Sequence, residues 1–343
     1  MNARRKKRWK ITAWVLFVLF AAYLVCAFLP RPKNYAYENP MMKTGEMPIL
    51  VAHGGGHLEF PDNTLEAFYN AYDASENVMM ETDVSLTKDG VLILSHDIRI
   101  DRRSNRTGLI ADWNYTDLIA EKVDFSYVND IGENEEFTGE AAERKKFKND
   151  DGVEIKPTDV PGYPDGLPNR DKEVFLATTL EELMLAFPTT KVSVEIKQSG
   201  ETGKLALDAV IDLLKEYEAF DRVIVASFHS EIFAEFKTLQ KQYKNLMYSP
   251  QTGGVVKYFL LKTTALDCFY REKVCAFQIP MEQVGVNLAT KALVRNAHKH
   301  NIAVHYWTVD DEDDMRHLIS IGADGITTNY PHKLKAVFES YAA

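Results

Sequence analysis

Apolar and polar positions divide the chain into an unbroken hydrophobic run and a long alternating region. Ile11 to Leu29 carries no charge over 19 residues, with Thr12 its one conventional polar side chain. As a helix the run would be about 28 Å long, close to the apolar thickness of a bilayer. It ends in large residues (Tyr23-Leu24-Val25-Cys26-Ala27-Phe28-Leu29) where a signal peptidase needs small ones, which favours a retained transmembrane helix (11–29) over a cleaved secretory signal. Residues 1–10 form a basic end, expected in the cytoplasm. Residues 30–48 read as a linker, and the remainder, 49–343, then lies on the extracytoplasmic side of a single-pass membrane protein.

Beyond the linker, short apolar or β-branched runs recur between stretches of helical spacing. Ile49 to Ala52, Val78 to Val84, Val91 to Leu94, Lys191 to Ile196, Val223 to Ser227, Phe277 to Ile279, Ala303 to Thr308 and Gly325 to Thr328 give eight strand candidates, with Leu246 to Tyr248 a ninth. Thr64 to Ser75, Gly203 to Glu218, Glu231 to Tyr243, Ala289 to His300 and Glu312 to Ile321 carry helical periodicity. Strand and helix alternating about eight times predict an α/β fold, a TIM (β/α)8 barrel. Asp124 to Glu173 breaks the rhythm. It is polar, rich in Asp, Glu, Lys, Asn, Gly and Pro, and reads either as a surface excursion or as a cap over the barrel mouth.

Charge narrows the function classes. All eight basic residues before position 34 precede any acid, so 32 basic side chains face 50 acidic ones from there onward. A surface this acidic repels nucleic acid backbones and suits divalent cations. Of the three cysteines, Cys26 lies in the apolar run; Cys268 and Cys275 could pair in an oxidising compartment but read as small buried residues.

The densest chemistry lies between residues 53 and 97. His53 ends the first strand and opens the turn Gly54-Gly55-Gly56-His57; Asn63 or Thr64 can cap the following helix. Glu81 and Asp83, two apart on a strand, share a face, where a hard divalent cation relieves their repulsion. Thr87-Lys88-Asp89-Gly90 turns into Val91 to Leu94, after which comes Ser95-His96-Asp97. Glu195 and Lys197 share a face of a later strand, and a lysine beside a ligating carboxylate suits an anionic substrate. Burying these groups at strand ends without a function would be costly. His57 reads as an exposed loop residue, and His229, His298, His300, His305, His317 and His332, without a carboxylate at metal-like spacing, read as structural.

His53-Gly54-Gly55-Gly56, Pro61 to Phe68, Glu81-Thr82-Asp83-Val84, Thr87 to Gly90, Ser95-His96-Asp97, Val194 to Lys197, Tyr306 to Val309 and Gly322 to Pro331 together resemble the glycerophosphodiester phosphodiesterase family, in order and from about residue 49 to the end. The resemblance implies a TIM barrel that hydrolyses a glycerophosphodiester such as glycerophosphocholine to glycerol 3-phosphate and an alcohol. By motif position, Glu81, Asp83 and Glu195 would ligate Ca²⁺ or Mg²⁺. His53 and His96 would be the general acid and base, His96 the preferred acid, and Lys197 would contact phosphate. Trp307 would line the glycerol side. Two positions depart from the family: Gly54 stands where an arginine is usual, and Asp62 where a glutamate is. Without that arginine, phosphate would fall to the metal, Lys197 and backbone N–H groups of the Gly54 to Gly56 turn. Hydrolysis of lysophospholipids, as by a lysophospholipase D, and a membrane-tethered binding barrel without catalysis are the alternatives.

Overall fold

The computed structural model describes residues 3–162 and 166–342; residues 1–2 of the basic end, 163–165 of the polar insertion and 343 lie outside the described residues. Helix α1 (Ala3–Phe28) leads the chain, and its Lys6–Phe28 portion, of mean hydropathy 2.4 and with none of its most apolar stretch buried, is apolar and long enough to cross a membrane.

Eight parallel strands then form the barrel wall. In chain order these are β1 (Ile49–His53), β2 (Met79–Leu86), β4 (Lys191–Ile196), β5 (Val223–Ala226), β6 (Met247–Tyr248), β7 (Ala276–Ile279), β10 (Ala303–Tyr306) and β11 (Gly325–Thr328). Their spatial order is β6-β5-β4-β2-β1-β11-β10-β7, a nearly closed ring. At the seam between β6 and β7, the Ser249 hydroxyl reaches the Ala276 carbonyl at 3.5 Å. The outer helices are α2 (Leu65–Ala74), α3 (Tyr115–Ala120), α4 (Leu180–Ala186), α5 (Gly200–Glu216), α6 (Ser230–Gln242), α7 (Thr252–Thr263), α8 (Lys291–Lys299), α9 (Glu312–Ile321) and α10 (Pro331–Ala342). Thr64 caps α2 and accepts from the Ala67 N–H, while Gly322 closes α9 in the left-handed conformation.

Val91 to Leu94 does not join the ring. It forms β3 (Leu92–Leu94), antiparallel to the upper half of β2, with Val84 opposite Leu94 and Leu86 opposite Leu92. The reason is the length of Thr87-Lys88-Asp89-Gly90: a four-residue turn can only fold a strand back, whereas parallel pairing needs a long crossover. The Thr87 hydroxyl meets Asp89 at 2.6 Å and the Val91 carbonyl at 3.0 Å, fixing that turn. The ring's vacant place goes to β6, from the run expected as a surplus ninth strand. A small hairpin, β8 (Glu282–Gln283) and β9 (Val286–Asn287), stands above β7.

The segment expected as a linker packs into the barrel floor. Met41 is fully buried with Val51, Met79, Ile224, Met247 and Ala303. Its carbonyl is 2.7 Å from Nε2 of His305, and Asn39 donates to the carbonyls of Cys275 and Asn301. Cys268 and Cys275 are free and buried. The polar insertion lies along the mouth: its Glu133 lines a small cavity there, and Arg144 donates to the Ser104 carbonyl at 2.9 Å.

Candidate active site

Strand register brings the reactive groups together. His53 on β1 is the register partner of Glu81 on β2, and Asp83 on β2 that of Glu195 on β4. Residues two apart on β2 face the same way, so both pairs project into the barrel mouth. His96 arrives by another route. The β2–β3 hairpin folds back until the Ser95 N–H donates to the Asp83 carbonyl at 2.9 Å, leaving the next residue at the level of Asp83.

Carboxylate oxygens of Glu81, Asp83 and Glu195 lie within 4.8 Å of one another. An all-oxygen anionic set fits a hard divalent cation such as Ca²⁺ or Mg²⁺. The Lys197 ammonium lies 2.9 Å from both Asp83 and Glu195, and these neighbours outweigh burial to hold it firmly protonated. Glu81 has no such contact. Burial, then the adjacent Asp83, push its carboxyl up to about 7, against the opposing pull of His53. Asn63, left-handed at φ 59, accepts from the Thr82 hydroxyl and the Asp83 N–H and so braces this strand.

The two imidazoles are held in different ways. His53 Nδ1 is 2.6 Å from the Asn329 side-chain oxygen, whose amide nitrogen donates to Asp310 at 2.7 Å. Because a carboxylate only accepts, the amide must present its oxygen to His53, which places the proton on Nδ1 and leaves Nε2 open. That Nε2 lies 4.0 Å from Glu81. Burial opposes a charge on His53, but Glu81 and the Asn329 bond outweigh it and raise its pKa. His96 donates from Nδ1 to Asp97 at 2.9 Å, and the Arg102 guanidinium grips the same carboxylate at 2.6 and 2.7 Å. The Asp97 bond raises the His96 pKa, while burial of Asp97 is outweighed by His96 and Arg102, which bring the acid down to about 2.

Gly54 lies in the left-handed region at φ 54, and its N–H donates to Glu81, to the backbone carbonyl at 3.0 Å and the carboxylate at 3.1 Å. A Cβ there would sit 3.1 Å from that of Asp62, so the turn has little room for a side chain. Asp62 instead pairs with Arg103 at 3.1 Å. A cavity of about 120 Å³ beside Gly54 is lined by both histidines, Asp62, Arg102 and Arg103. The main cavity is far larger, about 770 Å³. Its base holds His53, His96, the three acids and Lys197, and its upper wall is apolar, from Val255, Phe259, Ile279, Leu288 and the half-exposed Trp307.

The sequence reading passed over several of these groups. His57 is not an isolated loop residue but stacks parallel on His53 at 5.8 Å. Asp97 could have been found from its place directly after His96, and Asn329 from its place just past β11. Arg102, Arg103 and Asp310 carry no spacing signal. His298, His300 and His332 each meet a carboxylate remote in sequence, Asp324, Asp267 and Glu59, away from the mouth.

The model of the "Glycerophosphoryl diester phosphodiesterase family" matches residues 53–333. The chain belongs to this family. Over 290 residues it is 28% identical to a glycerophosphodiester phosphodiesterase of Caldanaerobacter subterraneus, covering 83% of this chain and 96% of that one. A human lysophospholipase D is 23% identical over 339 residues, 93% of each chain. A phosphodiesterase of Oleispira antarctica, solved with the product sn-glycerol-3-phosphate, superposes with a TM-score of 0.57 at 17% identity, over 85% of this chain and 97% of that one. As a glycerophosphodiester phosphodiesterase the protein is a hydrolase, of a family that is generally metal-dependent, and its three acids are the candidate metal set.

Proposed function

We propose that the enzyme cleaves glycerophosphodiesters such as glycerophosphocholine to glycerol 3-phosphate and an alcohol, with His53 as general base and His96 as general acid. The observation that carries this reading is one cavity holding both imidazoles, three carboxylates and a lysine. Glu81, Asp83 and Glu195 would hold Ca²⁺ or Mg²⁺; when bound, such an ion supplies positive charge to the phosphoryl oxygens. Lys197, kept cationic by its two carboxylates, contacts the phosphate and adds to that charge. The open Nε2 of His53 takes a proton from water or from the neighbouring glycerol hydroxyl. His96, kept protonated by Asp97, gives one to the departing alkoxide. Gly54 fixes the Glu81 carboxylate through its N–H, and Trp307 lines the glycerol side. Arg103, paired to Asp62, supplies cationic charge in the quarter that the side-chain-free Gly54 leaves open.

A lysophospholipid is the second substrate, favoured by the apolar upper wall of the 770 Å³ cavity, which a soluble headgroup ester does not need. Helix α1 crosses the membrane with the basic end in the cytoplasm and the barrel outside. Incubating the purified chain with glycerophosphocholine or lysophosphatidylcholine, in Ca²⁺ or Mg²⁺, tests both readings. Release of choline from either establishes hydrolysis, and faster turnover of the lysolipid establishes the second substrate. No turnover of any phosphodiester would leave a binding barrel instead.

A further inference from the structure

From Phe236 to Leu266 the sequence contains no Asp or Glu, although acids outnumber bases in the chain as a whole. It contains five lysines, at 237, 241, 244, 257 and 262. The stretch builds the C-terminal part of α6, β6 and α7, one flank of the barrel. Lys237 and Lys257 share Glu272. Lys241, Lys244 and Lys262 make no ion pair among the described residues.

The same flank exposes apolar side chains. Val256 and Leu260, one helical turn apart on α7, are 49% and 60% exposed, and Val284 at the tip of the β8–β9 hairpin is 91% exposed. All three rim the main cavity. A flank that carries lysines without acids and exposes aliphatic groups toward the mouth has the chemistry of a surface that meets anionic lipid headgroups.

The chain leaving α1 is tied to this flank. Arg31 pairs with Asp267 at 2.8 Å, just past the end of α7, and also donates to the carbonyls of Cys26, Ala27 and Leu29 at the end of α1. Cys268 lies against Cys26. From that junction α7 leads about 18 Å toward the mouth.

We propose that the α6–α7 flank and the β8–β9 hairpin form the face on which the barrel rests against the anionic bilayer crossed by α1, so that the mouth opens at headgroup level. The inference rests on the reading of α1 as a membrane span. A second copy of the chain is a poor occupant, because a two-fold contact would oppose one basic face to another.

The test uses the full chain in nanodiscs of phosphatidylglycerol and phosphatidylcholine, with a fluorescent unnatural side chain at Val284, at Leu19 within α1, or at Lys88 on the β2–β3 turn across the mouth. Brominated acyl chains should quench the probe at 19 and, severalfold, the probe at 284, and leave the one at 88 unaffected. Reversing charge with K241E and K244E, both exposed, should return position 284 to the level of position 88 without altering position 19. If 284 is quenched no more than 88 while 19 is quenched, the docking face is refuted and the span survives. If 19 is not quenched, the span fails and the proposal with it. Quenching at 284 that persists after the charge reversals would refute the electrostatic basis.

Discussion

Replacing Asp97 with Asn isolates the contribution of a carboxylate that never touches substrate. The amide keeps the shape of the acid and can still accept from His96 Nδ1, but it removes the charge that favours imidazolium. A hydrogen bond to a charged partner contributes about 1.5–3 kcal/mol, and each 1.36 kcal/mol is a factor of ten in a protonation equilibrium. The protonated fraction of His96 should therefore fall by about one to two decades in alkaline solution and change little in acid, where the imidazole is charged in both proteins. The assay is kcat for glycerophosphocholine against pH: the alkaline limb of D97N moves to lower pH while turnover at the acid end stays within a fewfold of wild type. The fold also loses a contribution. With its acid brought down to about 2, Asp97 stabilises the native state above the ordinary carboxylate range, an effect lost as pH falls toward 2. Thermal melts at each pH separate that loss from the catalytic one. A uniform drop in kcat at every pH, with the limb unmoved, would refute the view that Asp97 acts through the proton of His96.

The remaining expectations are simpler to read. H53A and H96A should each lower turnover by about two to four decades in single-turnover measurements, and near-normal rates in either would remove that histidine from the mechanism. Chelation should abolish hydrolysis, and titration calorimetry with Ca²⁺ or Mg²⁺ should give saturable binding that vanishes in E81Q/D83N/E195Q; unchanged heats in the variant would place the ion elsewhere. N329A removes both the acceptor that fixes the His53 tautomer and a donor to Asp310, so kcat should fall about tenfold or more with KM nearly constant. M41A deletes a fully buried side chain from the barrel floor and should cost about 2–5 kcal/mol in denaturant unfolding, against no measurable loss if the segment were a free tether.

Much of the mouth was legible in the chain because strand periodicity is a local property. Glu81 with Asp83, and Glu195 with Lys197, had to share faces once their segments were strands, and the 2.9 Å contact of Lys197 with Glu195 follows from that alternation, whereas its contact with Asp83 also needs the pairing of β2 with β4. The β3 hairpin shows the limit of the same logic. Val91 to Leu94 has the composition of a barrel strand, and only the length of the turn before it reveals that it must fold back. Contacts made by irregular segments had no such signal. Arg103 reaches Asp62 across 41 positions and Asn329 reaches His53 across 276, distances at which neither period nor spacing carries information. The carboxylates that hold His298, His300 and His332 were invisible for the same reason.

The floor of the barrel has a consequence for how the molecule is made. Tyr35, Asn39 and Met41 are among the first residues to follow α1, yet the groups they bond lie 210 to 264 positions later. During synthesis this segment emerges early and waits, its apolar groups uncovered, until residues 275–305 supply Cys275, Asn301 and His305. Sealing the bottom is thus a late event, and a ribosome that stops before residue 305 leaves the floor of the barrel open.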